Sequence, residues 1–182
     1  MDAAEGDVLA QLDDVLEGGI RLVQYRSKNG IDRGVLIRAA RRAHESGALL
    51  IVNDDVESAQ HADGVHLGQE DLALLGAAAL RDRVRGKVLG ISCPDVRSAE
   101  AAVRLGADYV GVGAMYATGT KHDAGNPIGP DGIRAAVEAV RLPVIAIGGI
   151  TLACIPEVRR TGAAMAAVIT AISRAPDRAA AA

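Results

Sequence analysis

Seven short runs rich in Val, Ile and Leu recur along the chain, and helix-patterned stretches separate them. This alternation constrains the fold more tightly than any other feature. The runs are RLVQYR at 21–26, LLIVND at 49–54, GVHLG at 64–68, VLGIS at 88–92, YVGVG at 109–113, VIAIGG at 144–149 and AAVIT at 166–170. Several are almost continuously aliphatic, which suits strands of a parallel sheet covered on both faces. Between them lie helices. Val8, Leu12, Val15 and Leu16 make one apolar stripe, with Asp13, Asp14 and Glu17 off it and Gly18–Gly19 ending the segment. Asp32 is placed to cap a helix running to Gly47, Ser98 to Leu105 is closed by Gly106, and Pro130 to Val140 precedes Pro143. Repeated strand–helix units predict a parallel α/β fold.

The count then raises a problem. A TIM-type (β/α)8 barrel has eight strands, over roughly 200 or more residues. Here the first strand is missing, because the chain opens on a helix pattern. An open sheet leaves edges that proteins usually cover. The expectation is that the true start lies upstream or that something else closes the gap.

With 182 residues, one barrel domain over 1–182 is expected. The chain has no Phe and no Trp, so Ala, Val, Leu and Ile must build the core. A net charge of −3 with mixed signs offers no electrostatic reason for nucleic-acid binding. No apolar run approaches the ~18 residues that span a bilayer, and the acidic N-terminus lacks a signal-peptide pattern. Cys93 and Cys154, far apart, read as reduced thiols of a cytoplasmic protein.

In such a barrel, ligands are handled at the C-terminal strand ends, and the informative polar residues gather there. Gln24, Arg26 and Lys28 alternate at the end of the first visible strand, so they share a face. An amide, a guanidinium and an ammonium together suit a diphosphate, or else form a solvated strand end. Asn53 and Asp54 end the next strand, and Asp71 follows the one after. Neighbouring strands let the two aspartates converge, and two carboxylates plus substrate phosphates make a typical Mg2+ site. The alternative is a turn aspartate and a helix cap. Ser92 offers a hydroxyl. The loop YATGTKHDAG places Thr118, Thr120 and Lys121, one of only three lysines, beyond the fifth strand. Gly148 and Gly149 let backbone N–H groups approach an anion, and Ile169–Thr170 lead into a terminal helix whose N-terminus adds to that second anion site. His66 reads as structural, His122 as exposed, His44 and His61 as helix surface. Nothing resembles a nucleophile–base triad or a zinc cluster.

VQYRSK, LLIVNDD, ADGVHLGQEDL, LGISC, GADYVGVGAMYATGTK and PVIAIGGIT, in this order, resemble the thiamine-phosphate synthase family from about Val15 to Pro176. The resemblance implies a closed (β/α)8 barrel. It implies transfer of hydroxymethylpyrimidine from its diphosphate to a thiazole phosphate, with Mg2+ as cofactor. It places Gln24, Tyr25, Arg26, Ser27, Lys28, Asn53 and Lys121 on the pyrimidine diphosphate, and Asp54 and Asp71 on Mg2+. Ser92 falls on the leaving diphosphate, and Thr118, Gly119, Thr120, Gly149, Ile169 and Thr170 on the thiazole phosphate. Arg26, Ser92 and Lys121 are the catalytic candidates.

Some positions depart from the pattern. The stretch between Asp54 and Asp71 is about two residues short, which threatens the metal pair. Cys154 replaces a common Asn, and Pro156 is expected to weaken the helix around it. A thiazole tautomerase on the same fold and a non-catalytic or truncated phosphate binder are the competing readings. An edge-covering homo-oligomer is also compatible with the missing strand.

Overall fold

The computed structural model describes residues 1–119 and 125–182. All seven expected strands are present: β1 (Leu22–Tyr25), β2 (Leu49–Asn53), β3 (Gly64–Leu67), β4 (Val88–Cys93), β5 (Tyr109–Val112), β6 (Val144–Ile147) and β7 (Met165–Ala167). They form one all-parallel sheet in chain order, β1-β2-β3-β4-β5-β6-β7. Helices α1 (Val8–Glu17), α2 (Arg33–Glu45), α3 (Gln69–Leu75), α4 (Ala77–Arg83), α5 (Val96–Arg104), α6 (Gly129–Ala139) and α7 (Ile155–Arg160) connect or precede them, and α8 (Thr170–Ser173) and α9 (Arg178–Ala181) end the chain. Asp7, Asp32 and Asp95 cap α1, α2 and α5 by accepting backbone N–H groups of the first turn.

Register divides the side chains between two faces. Val23 pairs with Leu50, Val52 with Val65, Leu67 with Ile91, and Val110 with Val144. These residues are buried against the helices. Leu12, Leu16 and Leu36 cover β1 and β2, while Leu80, Ile133 and Val158 belong to the larger cluster over the later strands. The other face carries Gln24, Ile51, Asn53, His66, Gly90, Ser92 and Gly111, brought together by the same pairings. The aliphatic core therefore lies between sheet and helices, and the polar residues line the concave interior.

The sequence pattern opens the chain on a helix, but the structure opens it on an extended tie to β1. The Met1 ammonium donates to the Gln24 carbonyl at 2.6 Å, Arg26 N donates to Met1 O at 3.0 Å, and Ala3 N donates to Arg26 O at 2.9 Å. Asp2 and Arg26 form a parallel bridge. Gln11, buried on α1, locks this segment by exchanging bonds with the Asp2 backbone at 3.2 and 3.1 Å. Two residues thus stand at the C-terminal end of the position a first strand would take. The C-terminal segment reaches the same side. Arg174 pairs with Glu5 at 2.8 Å and Arg178 with Asp14 at 2.7 Å, and a Cβ on Gly18 would meet the Ala179 carbonyl at 2.4 Å.

Two local expectations change. Pro156 sits at the second position of α7, where its missing N–H would have had no partner in the helix, so it starts the helix rather than weakening it. The short stretch after Asp54 is taken up by one 3-10 turn, Ser58–His61. Leu36, fully buried between α2 and the sheet, gives a direct measure of this core. Leu36→Ala should lower unfolding free energy by about 2–5 kcal/mol in a urea titration.

Candidate active site

A parallel sheet sends every strand's C-terminal end to one rim. Gln24 and Arg26 arrive there from β1, Asn53 and Asp54 from β2, and Ser92 from β4. Arg26 Nη1 donates to Asp2 Oδ2 at 2.6 Å. Asp2 is 5% exposed, and its Oδ1 accepts from Ala4 N at 2.9 Å. The guanidinium is therefore held by a buried carboxylate of the N-terminal tie. Sequence reasoning missed Asp2, because two residues ahead of a helix carry no strand period. Ser27 and Lys28 follow in the loop, with Lys28 exposed.

The Tyr25 side chain is turned away from the residues grouped with it. It alternates with Gln24 and Arg26, so its ring faces the other way, 3% exposed in the cluster with Leu12, Leu36 and Val52. The same period of two that puts Gln24 and Arg26 on the interior face sends Tyr25 to the helices.

The aspartates do converge. Asp54 follows β2 with a positive φ of 63°, a conformation its short polar side chain tolerates. Its N–H donates to the His66 carbonyl at 2.8 Å, and Asn53 Nδ2 donates to its Oδ2. Asp71 lies at the third position of α3 and accepts from Gly68 N at 3.2 Å. Gly68, not Asp71, is therefore the N-cap of α3; Asp71 stands in the first turn, accepts the Gly68 N–H and neighbours Asp54. Loss of solvation in the cleft, then the neighbouring Asp71, push the Asp54 carboxyl up to about 6, while the Gly68 N–H and Arg26 pull the other way. Two neighbouring acidic groups fit a hard divalent cation, which would neutralise such a pair and take its remaining ligands from phosphates and water. Asp55 does not compete: it accepts from Ser58 N and Oγ at 2.9 and 2.6 Å.

Ser92 Oγ lies 2.8 Å from His66 Nε2, and the Ser92 carbonyl accepts from Gln69 Nε2 at 2.5 Å. His66 is buried, as a structural reading requires. His61, expected on a surface, instead buries its Nε2 without a hydrogen-bond partner among the described residues.

The later strands bring the second group together. Met115 N donates to Ile147 O at 2.8 Å and Tyr116 N to Gly148 O at 3.0 Å. A Cβ on Gly149, where φ is 64°, would meet the Ala117 carbonyl at 2.5 Å. The loop carrying Thr118 and Gly119 therefore starts against the glycine turn. Ile147 pairs with Ala167, so Gly149 and Ile169–Thr170 follow adjacent strand ends. The terminal helix, however, is a single turn, Thr170–Ser173, too short to add the dipole of a longer helix. Thr120 and Lys121 lie outside the described residues.

A family model described as thiamine monophosphate synthase matches residues 1–172. The chain is 43% identical over 178 residues to a thiamine-phosphate synthase of Chloroflexus aurantiacus, covering 95% of this chain and 81% of that one. It is 46% identical over 178 residues to a thiamine biosynthesis bifunctional protein of Symbiobacterium thermophilum, covering 94% of this chain and 36% of that longer protein. Among solved structures, the thiamine phosphate pyrophosphorylase of Pyrococcus furiosus superposes with a TM-score of 0.88 at 33% identity, covering 99% of this chain and 88% of that one. With a family model that matches residues 1–172, a matching fold and relatives that agree over most of its length, the chain belongs to the thiamine monophosphate synthase family.

Proposed function

We propose that this chain joins hydroxymethylpyrimidine diphosphate to 4-methyl-5-(2-phosphooxyethyl)thiazole, forming thiamine phosphate and releasing pyrophosphate, with Mg2+ as cofactor. The observation that carries the reading is the meeting of Asp54 with Asp71 beside Arg26. An isomerase acting on a thiazole phosphate has no use for a second, cation-ready site, so the arrangement favours the transferase over the tautomerase.

Each residue has a task in that chemistry. Gln24, Arg26 and Lys28 hold the diphosphate, and Asn53 holds the pyrimidine end. Asp54 and Asp71 hold Mg2+, which when bound offsets charge on the diphosphate oxygens. The C–O bond to the diphosphate breaks as the aminopyrimidine stabilises positive charge at its methylene carbon. Arg26, the Ser92 hydroxyl and Lys121 stabilise the charge growing on the leaving group. Thr118, Gly119, Thr120 and Gly149, with the backbone at Ile169 and Thr170, hold the thiazole phosphate so that its ring nitrogen faces that carbon. The nitrogen is already nucleophilic, so the site needs no general base.

Pyrophosphate release by the purified chain, with both substrates and with or without Mg2+, tests the reading. Mg2+-dependent release matched by thiamine phosphate is expected; release of neither from folded protein would refute it and favour a phosphate binder. Asp71→Asn keeps a cap acceptor for Gly68 and should reduce Mg2+-dependent turnover more than about a hundredfold, about 2.7 kcal/mol of barrier. Lys121→Ala should cost at least about tenfold, and an unchanged rate would remove Lys121 from the leaving-group role.

Asp54 also sets a pH dependence. Its folded pKa of about 6 lies above the ordinary 3.8. The metal-free folded state therefore binds this proton more tightly than the unfolded chain. Its contribution to stability is complete below about pH 4 and is lost as pH rises through about 6. Mg2+ must displace the same proton, so Mg2+ affinity by calorimetry should fall as pH drops below about 6. A Mg2+ affinity that stays constant from about pH 5 to about pH 7.5 would place the cation elsewhere.

A further inference from the structure

His66 and Tyr109 form a buried polar pair that has no part in the roles assigned so far. His66, on the interior face of β3, is 8% exposed. Its Nδ1 is 3.0 Å from the Tyr109 hydroxyl and its Nε2 is 2.8 Å from Ser92 Oγ. The rings of His66 and Tyr109 stack with centroids 5.4 Å apart. Two interior glycines make room for this. A Cβ on Gly90 would sit 2.1 Å from Tyr109 Cζ and 2.5 Å from His66 Nδ1, and one on Gly111 would sit 3.1 Å from His66 Cε1. The backbone is thus built around the contact.

A neutral imidazole donates from one nitrogen and accepts at the other, and the partner of one decides the role of the other. With a neutral His66, the contacts to Tyr109 and Ser92 allow two arrangements. In the first, Tyr109 O–H donates to Nδ1, and Nε2–H donates to Ser92 Oγ. In the second, Nδ1–H donates to the Tyr109 oxygen, and the Ser92 O–H is consumed by Nε2. Both hydroxyls keep their protons, but the phenol is intrinsically the more acidic of the two and so the stronger donor to an imidazole nitrogen, which favours the first arrangement. Only the first arrangement leaves the Ser92 proton for a ligand. It also makes that hydroxyl a better donor, because an oxygen that accepts a hydrogen bond donates more strongly.

We propose that His66 is a positioning residue. Tyr109 selects its Nε2–H tautomer, and that N–H turns the Ser92 hydroxyl outward as a donor to the leaving diphosphate. This rests on the role given to Ser92 above.

Nitrogen-15 NMR of the imidazole in the substrate-free protein reads the tautomer directly. The Nε2–H form is expected, with its preference lost in Tyr109→Phe; an Nδ1–H form would overturn the proposal. Because no substrate is involved, an inactive wild type would sink the transferase reading and leave this test standing. Kinetics supply the second arm. Ser92→Ala and Tyr109→Phe should each lower kcat about tenfold or less, with KM for the pyrimidine diphosphate within about twofold. Tyr109→Phe in the Ser92→Ala background should cost nothing more. Additive losses would overturn the proposal, since a merely structural hydroxyl would act regardless of Ser92. A wild-type rate for Ser92→Ala would remove both the Ser92 role and this one. If Tyr109→Phe unfolds, His66→Gln, which keeps a donor toward Ser92, should retain more activity than His66→Phe; equal loss in the two would overturn the proposal.

Discussion

The all-parallel ladder in chain order is the constraint on which everything else in this molecule depends. Parallel strands need a return crossover for each step, so every strand points the same way and every strand end meets the same rim. The period of two then sorts the residues. Val23, Leu50, Val65 and Leu89 turn toward helices and are buried there. Gln24, Asn53, His66 and Ser92 turn inward on the same strands. One register shift would exchange these sets and remove core and site together.

The first position of the sheet is handled differently from the others. Met1–Ala3 supply a short stretch of ladder at the rim end only, against Gln24 and Arg26. That is the end where order matters for chemistry, because Asp2 holds Arg26 there. Farther down, the side of the barrel beside β1 is served by contacts between α1 and α9 and by ion pairs from Arg174 and Arg178. Arg174 is largely exposed, so its pair with Glu5 contributes little by itself. The buried Asp2 and Gln11 contribute more to fixing the tie, because leaving either without its partner would strand a buried polar group.

The seven strands were legible because aliphatic runs bounded by glycine and polar residues have few other uses in a chain without Phe or Trp. The convergence of Asp54 and Asp71 was legible too, since adjacent parallel strands bring their ends together. Other features were not. The Asp2 bridge involves too few residues to show a period. Tyr25 was grouped with its neighbours as ligand-facing by resemblance, although alternation from Gln24 already pointed it to the core. The His66–Tyr109 bond joins residues 43 apart in the chain. Its signal, glycine at positions 90 and 111 within otherwise bulky strands, becomes meaningful only once register places both glycines against the same ring.

Charge at the rim finally links the two halves of the proposed reaction. Arg26 is the cation that the described residues place beside the carboxyl pair, and Asp2 is already paired with it. With Asp54 ionised, Asp2, Asp54 and Asp71 outnumber that guanidinium, and a diphosphate would meet net negative charge. On the proposed reading, a divalent cation on Asp54 and Asp71 cancels the net negative charge of that cluster. Cation and diphosphate therefore bind as one coupled event, because each supplies the charge that the other needs. The buried Asp2 fits the same logic. It holds the Arg26 guanidinium at 2.6 Å, so that cation is oriented by a carboxylate outside the Asp54–Asp71 pair.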